Sequence, residues 1–404
     1  MGVELNEIFN SAVSNNLFKE KAVLQTRYTP KSIPHREEQI KAIASILASS
    51  LRGDRPSNLF VYGKTGTGKT LSVQYVQDEL IKKSKELNTD VRFEYLNCKL
   101  KKVSDTEYRI LAALIEKLGG SVPATGLPTD QVWSRFIELI DRKKQLIIFI
   151  FDEIDQAVKK MNDGFLYSFT RLNQELSKAQ ICLIGISNDV TFLENIDPRV
   201  RSSLGEEEFV FPPYNAIQLQ DILNERCKNA FKEGVVVDGV IAKCAAYAAR
   251  EHGDARRALD LLRIAAELSE RDGKMVVSED YIDLANQKIE RDKILDIVES
   301  EPKQFQLVLY SLMQLIKENK EKNIERFFTG DVYNFYQFLC EKIKFEPLTQ
   351  RRISDILAEM DMLGIINAKV ISKGRHGRTR EIKLSIPLGL FDKVETILTD
   401  SLCL

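Results

Sequence analysis

The sequence has no closely paired cysteines and no marked excess of charge of either sign. Its six cysteines lie far apart, and the absence of a Cys-x-x-Cys pair argues against a zinc ribbon or a redox pair. Scattered thiols of this kind indicate the cytosol. The 58 Lys and Arg nearly balance the 59 Asp and Glu, so the overall charge favours no class of partner. Any surface for nucleic acid must therefore be local.

Membrane and targeting signals are also missing. The apolar run Leu146–Phe151 is far too short to cross a bilayer. The opening MGVELNEIFN has no basic-then-apolar leader pattern, and Asn6 stands where a myristoylation signal places Ser or Thr. What the chain does have is length, 404 residues, and an apolar fraction of 44%, which together predict two or three domains with real cores. We therefore expect a soluble intracellular protein.

A glycine-rich stretch carries the clearest chemical signature. The segment GKTGTGKT matches the spacing G-x-x-x-x-G-K-[ST] between a strand pattern, NLFVY, and a helical pattern. Glycines let backbone N–H groups curl around an anion, and the next helix adds its positive N-terminus. Lys69 would reach the β- and γ-phosphates of a nucleotide, and Thr70 would place its hydroxyl on Mg²⁺. A flexible turn is the plain alternative. The predicted phosphate cradle and the residue after it are Gly63, Lys64, Thr65, Gly66, Thr67, Gly68, Lys69, Thr70 and Leu71.

Two more strand patterns end in polar residues. In QLIIFIFDEID, six apolar residues precede Asp152 and Glu153, which suits a strand buried on both faces of a parallel sheet. Ligands of such sheets lie at the carboxyl ends of strands, so Asp152 would hold Mg²⁺ and Glu153 would orient the attacking water. Asp155 is predicted to cap the following helix. In QICLIGISND, Asn188 offers an amide to the γ-phosphate or the water, although Asn is also an ordinary turn residue.

Arginines occur at two informative places. Arg199 and Arg201 follow the third strand in NIDPRVRSSL, where they could neutralise the charge that develops during phosphoryl transfer, in their own subunit or a neighbour. Arg256 and Arg257 lie in the first turn of a predicted helix. The helix dipole disfavours cations there, so an anionic partner would explain their placement. Surface arginines that only meet solvent are the alternative at both places.

The last hundred residues show a different pattern, three helical segments followed by two strands around a Gly-Arg-His-Gly-Arg turn. The third helix has an apolar stripe on one face and polar residues on the other, and Gly364 ends it. From Lys369 to Lys383, six basic residues and one glutamate give a net charge of +5. This order resembles a winged helix, and the charge indicates a phosphate-contacting surface. A solvated hairpin tip is the plain reading. The candidate DNA contacts are Gln350, Arg351, Ser354, Lys373, Arg375, His376, Arg378 and Arg380.

The two nucleotide signatures, with ISND, DPRVRSSL and GDARRALDLL, resemble the Walker A, Walker B, sensor-1, arginine-finger and sensor-2 elements of AAA+ ATPases in that order. The segments YTPKSIPHREEQI, YLNCK and EEFVFPPYNAIQLQDIL narrow the resemblance to archaeal replication initiators, the single-chain relatives of the eukaryotic origin recognition complex and its helicase-loading partner. The resemblance implies an α/β P-loop AAA+ domain, with a parallel sheet and helices on both faces, over residues 1–213. A helical lid over 214–298 and a winged-helix domain over 299–404 complete the expected organisation.

The resemblance also implies roles for individual residues. Arg256 would be the sensor-2 arginine, while Ile33, His35 and Arg36 would lie by the adenine, with Tyr214 also beside the nucleotide. Without the resemblance, His35 is only a loop histidine. The implied cofactors are ATP or ADP and Mg²⁺. The candidate catalytic residues are Lys69, Asp152, Glu153, Asn188, Arg199, Arg201 and Arg256.

The implied function is an ATP-dependent initiator that binds origin double-stranded DNA and helps to recruit or load the MCM-type helicase. It would be a slow ATPase that acts as a switch, located in the cytoplasm at the nucleoid, with paralogous initiator subunits as further partners. Leu111–Ile140 would contact DNA from the ATPase domain, or would simply cover the core with Trp133 and Phe136. Two alternatives stay open: a nucleotide-holding origin or promoter regulator that loads no helicase, and a clamp-loader-like ATPase, which has no reason to carry a basic winged helix.

Overall fold

The computed structural model describes residues 16–404 except 100–105, 124–125, 162, 205, 320–325 and 373–377. The chain divides into two compact units, Met1–Ile282 and Asp283–Leu404. The strands are β1 Asn58–Tyr62, β2 Val91–Asn97, β3 Leu146–Asp152, β4 Gln180–Ser187, β5 Glu206–Val210, β6 Phe327–Phe328, β7 Ile366–Ser372 and β8 Arg378–Leu384. Among the helices of the described residues, none combines the length and apolar character that a membrane crossing requires.

The helices follow the same chain order. Those that lie wholly in the first unit are α1 Glu37–Leu47, α2 Lys69–Leu87, α3 Glu107–Lys117, α4 Thr129–Ile140, α5 Ile154–Met161, α6 Gly164–Glu175, α7 Pro198–Leu204, α8 Ala216–Ala230, α9 Val240–Arg250 and α10 Ala255–Arg271. Helix α11, Glu279–Ser300, contains the point at which the units divide. The second unit continues with α12 Lys303–Asn319, α13 Thr329–Ile343, α14 Gln350–Met362 and α15 Phe391–Leu402.

The first unit is built on a parallel sheet with strand order β2-β3-β4-β1-β5. Strand β3 is buried along its whole length. Because successive side chains of a strand alternate between its two faces, Phe149 and Phe151 join the core under α3, α4 and α6, whereas Ile148 and Ile150 join the core under α1 and α2. The predicted α/β fold, with helices on both faces, is confirmed.

The strand order brings the predicted polar residues to one edge of the sheet. Strands β1 and β3 lie on either side of β4, and all three run in the same direction. Residue Tyr62 at the end of β1 pairs with Ser187, and Asp152 at the end of β3 pairs with Ile186. The turns that follow these strands therefore leave the sheet side by side.

A helical layer follows the sheet. Pro212 and Pro213 come after β5 and precede α8. The Asn215 side chain caps α8 by accepting from the Gln218 backbone N–H, and the Asn215 backbone N–H donates to the side-chain oxygen of Gln218. Helices α8, α9 and α10 pack on one another, and α10 buries the apolar face that its spacing predicts. The predicted helical lid is thus present. Its boundaries at 213/214 and 298/299 remain predictions.

The second unit contains the predicted three helices and hairpin. Helix α14 buries its apolar stripe, including Ile353, Leu357 and Met360. Strands β7 and β8 pair antiparallel, and β6 adds a third strand beside β8. The sequence analysis missed β6 and α15. A strand of two residues shows no periodicity, whereas α15 does bury Val394 and Leu398, four residues apart, and could have been found.

Candidate functional site

The cradle between β1 and α2 is shaped by glycine. Gly66 and Gly68 have φ of 69° and 88°, a backbone conformation that residues other than glycine rarely adopt. A side chain on Gly66 would also overlap the carboxylate of Asp254, and one on Gly68 would crowd the hydroxyl of Tyr214. The glycines therefore serve both the curvature of the loop and its close contact with the segments above it.

Lys69, the first residue of α2, points its ammonium group back into the cradle. It is 5% exposed, and its Nζ donates to the carbonyls of Gly63 and Lys64, at 2.7 and 2.8 Å. A third bond, at 2.9 Å, reaches Oδ1 of Asn188. The pKa of Lys69 is lowered to about 8, mainly because of burial and with a smaller contribution from the positive charge of Arg256, while the negative charge of Asp152 opposes the shift. The lysine is thus held in place, but its charged form is not fully compensated.

Asp152, the acidic residue at the end of β3, accepts hydrogen bonds from two hydroxyl groups. Oδ2 of Asp152 accepts bonds from the Thr70 hydroxyl at 2.9 Å and from the Tyr95 hydroxyl at 2.7 Å. Burial raises the pKa of Tyr95, and the charge of Asp152 raises it further. A hydroxyl and a carboxylate this close suit the oxygen preference of Mg²⁺, which usually keeps several waters. Thr70 and Asp152 therefore fit the predicted metal role.

Glu153 follows directly and adopts a left-handed backbone, with φ of 54°. Such a conformation is strained in a residue other than glycine and often marks a functional position. Its side chain lies 3.7 Å from Nζ of Lys99. Asp155, predicted as a helix cap, instead lies inside the first turn of α5. Its carboxylate accepts bonds from the Ser187 hydroxyl and the Asn188 backbone, so it braces the end of β4.

A cavity of about 450 Å³ lies over this edge of the sheet, within the usual size of a small-molecule site. Three parts of the first unit line it: the segment 25–34, the cradle with the ends of the strands, and the lid. The predicted site residues in its lining are Ile33, Gly66, Thr67, Gly68, Lys69, Thr70, Leu71, Asp152, Glu153, Asn188, Tyr214 and Arg256. Outside the lining are His35, Arg36, Gly63, Lys64, Thr65, Arg199 and Arg201.

The residues outside the lining have other neighbours. His35 Nε2 lies 2.9 Å from a carboxylate oxygen of Asp221. Thr65 is exposed, and Gly63 and Lys64 offer their carbonyls to Lys69. Lys64 Nζ lies 3.3 Å from Nδ1 of His252 in the lid.

The arginines separate into two groups. On α7, Arg199 is 86% exposed and pairs with Asp197 at 3.0 Å, which lowers the pKa of that carboxyl group. Arg201 also lies on α7, 3.5 Å from Glu208. Arg256 lines the cavity, whereas Arg257 pairs with Glu251 at 3.2 Å. Of these four arginines, Arg256, the one predicted as sensor 2, thus lines the cavity of its own chain.

Two features of the cavity escaped the sequence analysis. No motif in the sequence predicts a role for Tyr95. Its hydroxyl reaches Asp152 because β2 pairs with β3. The guanidinium of Arg226 lies 4.6 Å from the ring centre of Tyr28, and both residues line the cavity. These two residues are almost two hundred positions apart, so no local pattern could connect them.

The winged helix presents its predicted polar residues on α14. Gln350 and Arg351 are exposed, Ser354 is half-buried, and the Thr349 side chain caps the helix. The guanidinium of Arg380 donates to the Ser354 carbonyl, which ties β8 to α14. Arg378 begins β8. Lys373, Arg375 and His376 lie outside the described residues.

The segment Leu111–Ile140 contains most of α3 and all of α4, which both pack on the sheet. Phe136 is fully buried, and the indole of Trp133 packs beside it while donating to Glu107 at 2.8 Å. These contacts support the plain reading of a covering layer. A DNA contact from this segment stays a prediction.

A parallel sheet whose carboxyl edge joins a phosphate cradle, an acidic pair and a lid arginine defines an AAA+ ATPase. Family models agree along the chain: an AAA domain matches residues 52–191, a Cdc6 AAA+ ATPase-type lid domain matches 220–287, and a CDC6 C-terminal winged helix domain matches 296–393.

Individual relatives narrow the family. The chain is 51% identical over 387 residues to an ORC1-type DNA replication protein of Thermococcus onnurineus, covering 95% of this chain and 92% of the relative. It is 50% identical over 374 residues to ORC1-type DNA replication protein 1 of Methanosarcina acetivorans, covering 92% and 89%. The solved structure of the Aeropyrum pernix ORC1 protein in complex with DNA matches with a TM-score of 0.83 at 42% identity, over 95% and 97% of the two chains. The chain belongs to the family of ORC1-type DNA replication proteins.

Proposed function

We propose that this protein initiates DNA replication by binding origin double-stranded DNA and helping to recruit or load the MCM-type helicase, with ATP or ADP as the switch. The observation that carries the proposal is the meeting of Lys69, Asn188, Thr70 and Asp152 in one cavity that Arg256 of the lid also lines. The relatives are replication proteins, and the Aeropyrum pernix ORC1 structure is a complex with DNA. Both support a role on DNA for this chain.

The proposed roles follow the contacts. Lys69 and the cradle would bind the β- and γ-phosphates, and its present carbonyl partners would be exchanged for phosphate oxygens. Thr70 and Asp152 would hold Mg²⁺, which neutralises phosphate charge when bound. Glu153 would orient the attacking water, and Asn188 would sense the γ-phosphate or this water. Ile33, Tyr214 and the segment around Tyr28 would surround the base.

The lid would report the nucleotide. Arg256 lines the cavity, and the residue before it, Ala255, donates its backbone N–H to the Gly66 carbonyl of the cradle at 3.2 Å. Loss of the γ-phosphate would remove a partner of this arginine and loosen the lid. Arg199 and Arg201 would act in a neighbouring subunit, which couples a slow hydrolysis to assembly with paralogous initiators. We also propose that the nucleotide-binding base ends at residue 213 and that the helical lid ends at residue 298. The protein would be located at the nucleoid.

On the DNA side, α14 would enter the major groove with Gln350, Arg351 and Ser354, and Arg375 with Arg378 would enter the adjacent minor groove. Lys373, His376 and Arg380 complete the proposed contacts. Replacement of both Arg375 and Arg378 by Ala should weaken binding to origin DNA and reduce the salt slope by about two units. If the affinity of this double variant for DNA were unchanged at every salt concentration, the hairpin of β7 and β8 would not be part of the DNA interface.

Glu153→Gln tests the switch. The variant should bind ATP normally and hydrolyse it about 100-fold to 10,000-fold more slowly, the range expected when a positioned base is lost. It should also retain helicase on origin DNA, measured by co-sedimentation and by footprints with ATP, with ADP and without nucleotide. Glu194→Gln, an exposed acid on the same unit, is the control. Origin footprints without helicase recruitment in every nucleotide state would favour the regulator that loads no helicase.

A further inference from the structure

Arg36 is buried against the phosphate cradle but is outside the cavity lining. Only 1% of it is exposed. Its Nε donates to the carbonyl of Thr67 at 2.9 Å, and its two terminal nitrogens donate to the carbonyls of His35, at 2.9 Å, and Pro212. One guanidinium therefore joins three segments of backbone, and one of these is the cradle itself.

Aromatic rings cover the same guanidinium. Its central carbon lies 3.8 Å from the ring centre of Tyr214 and 5.6 Å from that of Phe211. A planar guanidinium stacks on rings and donates in its own plane at the same time, which an ammonium group cannot do. Pro212 and Tyr214 belong to the segment that leads from the sheet into the lid, so Arg36 connects the cradle with the start of the lid.

The lid returns to the cradle by a second route. The Tyr214 backbone N–H donates to the Gly253 carbonyl at 3.3 Å, and the Ala255 N–H donates to the Gly66 carbonyl at 3.2 Å. The carboxylate of Asp254 caps α10 and packs on Gly66. The contacts thus run from the cradle through Arg36 and Tyr214 to the first turn of α10, and from that turn back to the cradle. Arg256 lies in the same turn and lines the cavity.

We propose that Arg36 is a positioning residue that fixes the cradle and the lid in one arrangement through the carbonyls of Thr67 and Pro212, without touching the base. Burying a guanidinium is unfavourable, and burial lowers the pKa of Arg36, so its cost must be offset by the arrangement that it holds. The inference rests on the proposed nucleotide site. It predicts an effect on phosphate binding that is independent of the base.

Arg36→Lys is the first test, because it keeps the charge and removes the planar fork. Affinities for MgATP, MgGTP and magnesium tripolyphosphate would be measured by competition against a fluorescent ADP analogue. All three should fall by a similar factor, about tenfold or more, as expected when bonds from a charged donor to buried acceptors are lost. Arg52→Lys, at an exposed arginine paired with Asp54, is the matched control and should change none of them.

The other outcomes overturn the proposal in distinguishable ways. A loss for ATP alone, with tripolyphosphate unchanged, would make Arg36 a base contact. A lower melting temperature with wild-type affinities would make its role purely structural. If Arg36→Lys does not fold, Tyr214→Leu removes the stacked ring and should lower tripolyphosphate affinity about threefold, whereas an unchanged value contradicts the inference. A wild-type protein that binds none of the three ligands would refute the nucleotide site itself.

Discussion

The nucleotide cavity and the winged-helix face prepare their polar groups in opposite ways. At the cavity, Lys69, Thr70 and Asp152 already have partners from distant segments, and burial has shifted the pKa of Lys69. On α14, Gln350 and Arg351 extend into solvent from a helix whose other face is buried. The first region is preorganised by contacts, whereas the second presents exposed side chains from a helix whose other face is packed.

This difference determines what a substitution should do. In the cavity, removing one polar group leaves a buried partner unsatisfied, which should lower the free energy of unfolding by about 1–3 kcal/mol. On the exposed face of α14, the same kind of change removes one contact that is made only when a partner is present, and the fold is unaffected. This comparison predicts that polar substitutions strongly weaken nucleotide binding in the cavity but have small effects on the exposed face of α14. It also predicts that substitutions on the buried face of α14 strongly destabilise the fold.

The largest effect is expected for Lys69→Ala. The lysine would make two or more charge-assisted hydrogen bonds to phosphates, each worth about 1.5–3 kcal/mol, so MgATP affinity should fall about 1,000-fold, or about 4 kcal/mol. Isothermal titration calorimetry measures this directly. Lys82→Ala, an exposed lysine that pairs with Glu79 on the same helix, is the control and should bind as the wild type does. A loss below tenfold would mean that the cradle, rather than its lysine, supplies most of the affinity.

The second prediction compares the two faces of α14. Leu357 is fully buried, and Leu357→Ala should destabilise the second unit by about 3 kcal/mol. Met362 on the same helix is 84% exposed, and Met362→Ala should change stability by less than about 0.5 kcal/mol. Urea unfolding followed by a probe in the second unit gives both values. Equal effects would show that the two faces of α14 do not differ in packing as the comparison requires.

Much of this contrast was accessible from the sequence, because its signals are local. The spacing of Gly63–Thr70 and the apolar run into Asp152 identified the cradle and its strand, and the stripe on α14 separated its two faces. Arg36 and Tyr95 show where such reasoning ends. Their neighbours, Pro212 for one and Asp152 for the other, are brought close only by the folded chain. The prediction of Asp155 as a helix cap was wrong, and its actual contact with Ser187 at the end of β4 is likewise made only in the folded chain.

The third prediction uses the pKa of Lys69, which is about 8 in the free protein. Phosphates favour the charged form, so the pKa in the complex should be higher, and binding above pH 8 should take up a proton. Affinity for MgADP should therefore be highest below pH 8 and fall about tenfold between pH 7 and pH 9. Calorimetry in buffers of different ionisation enthalpy measures the proton uptake. Lys69→Arg should bind without this dependence, since its guanidinium stays charged. A flat profile in the wild type would show that the lysine is fully charged before binding.

The last prediction concerns Arg351→Ala on the exposed face of α14, where the effect is the smallest of all if the arginine contacts a single phosphate. If Arg351 contacts one phosphate, its loss should reduce the slope of log affinity against log salt by about one unit and weaken binding about equally on all sequences. If it reads a base edge instead, affinity should fall by about 1–3 kcal/mol for one sequence only, and discrimination at that position should be lost. Fluorescence anisotropy on origin and scrambled duplexes at several salt concentrations separates the two, with Lys393→Ala on α15 as the control. Because the side chain is exposed, melting should be unchanged in either case. A destabilised variant would mean that this arginine holds the fold, and the contrast between a preorganised cavity and a presented helix would no longer apply to it.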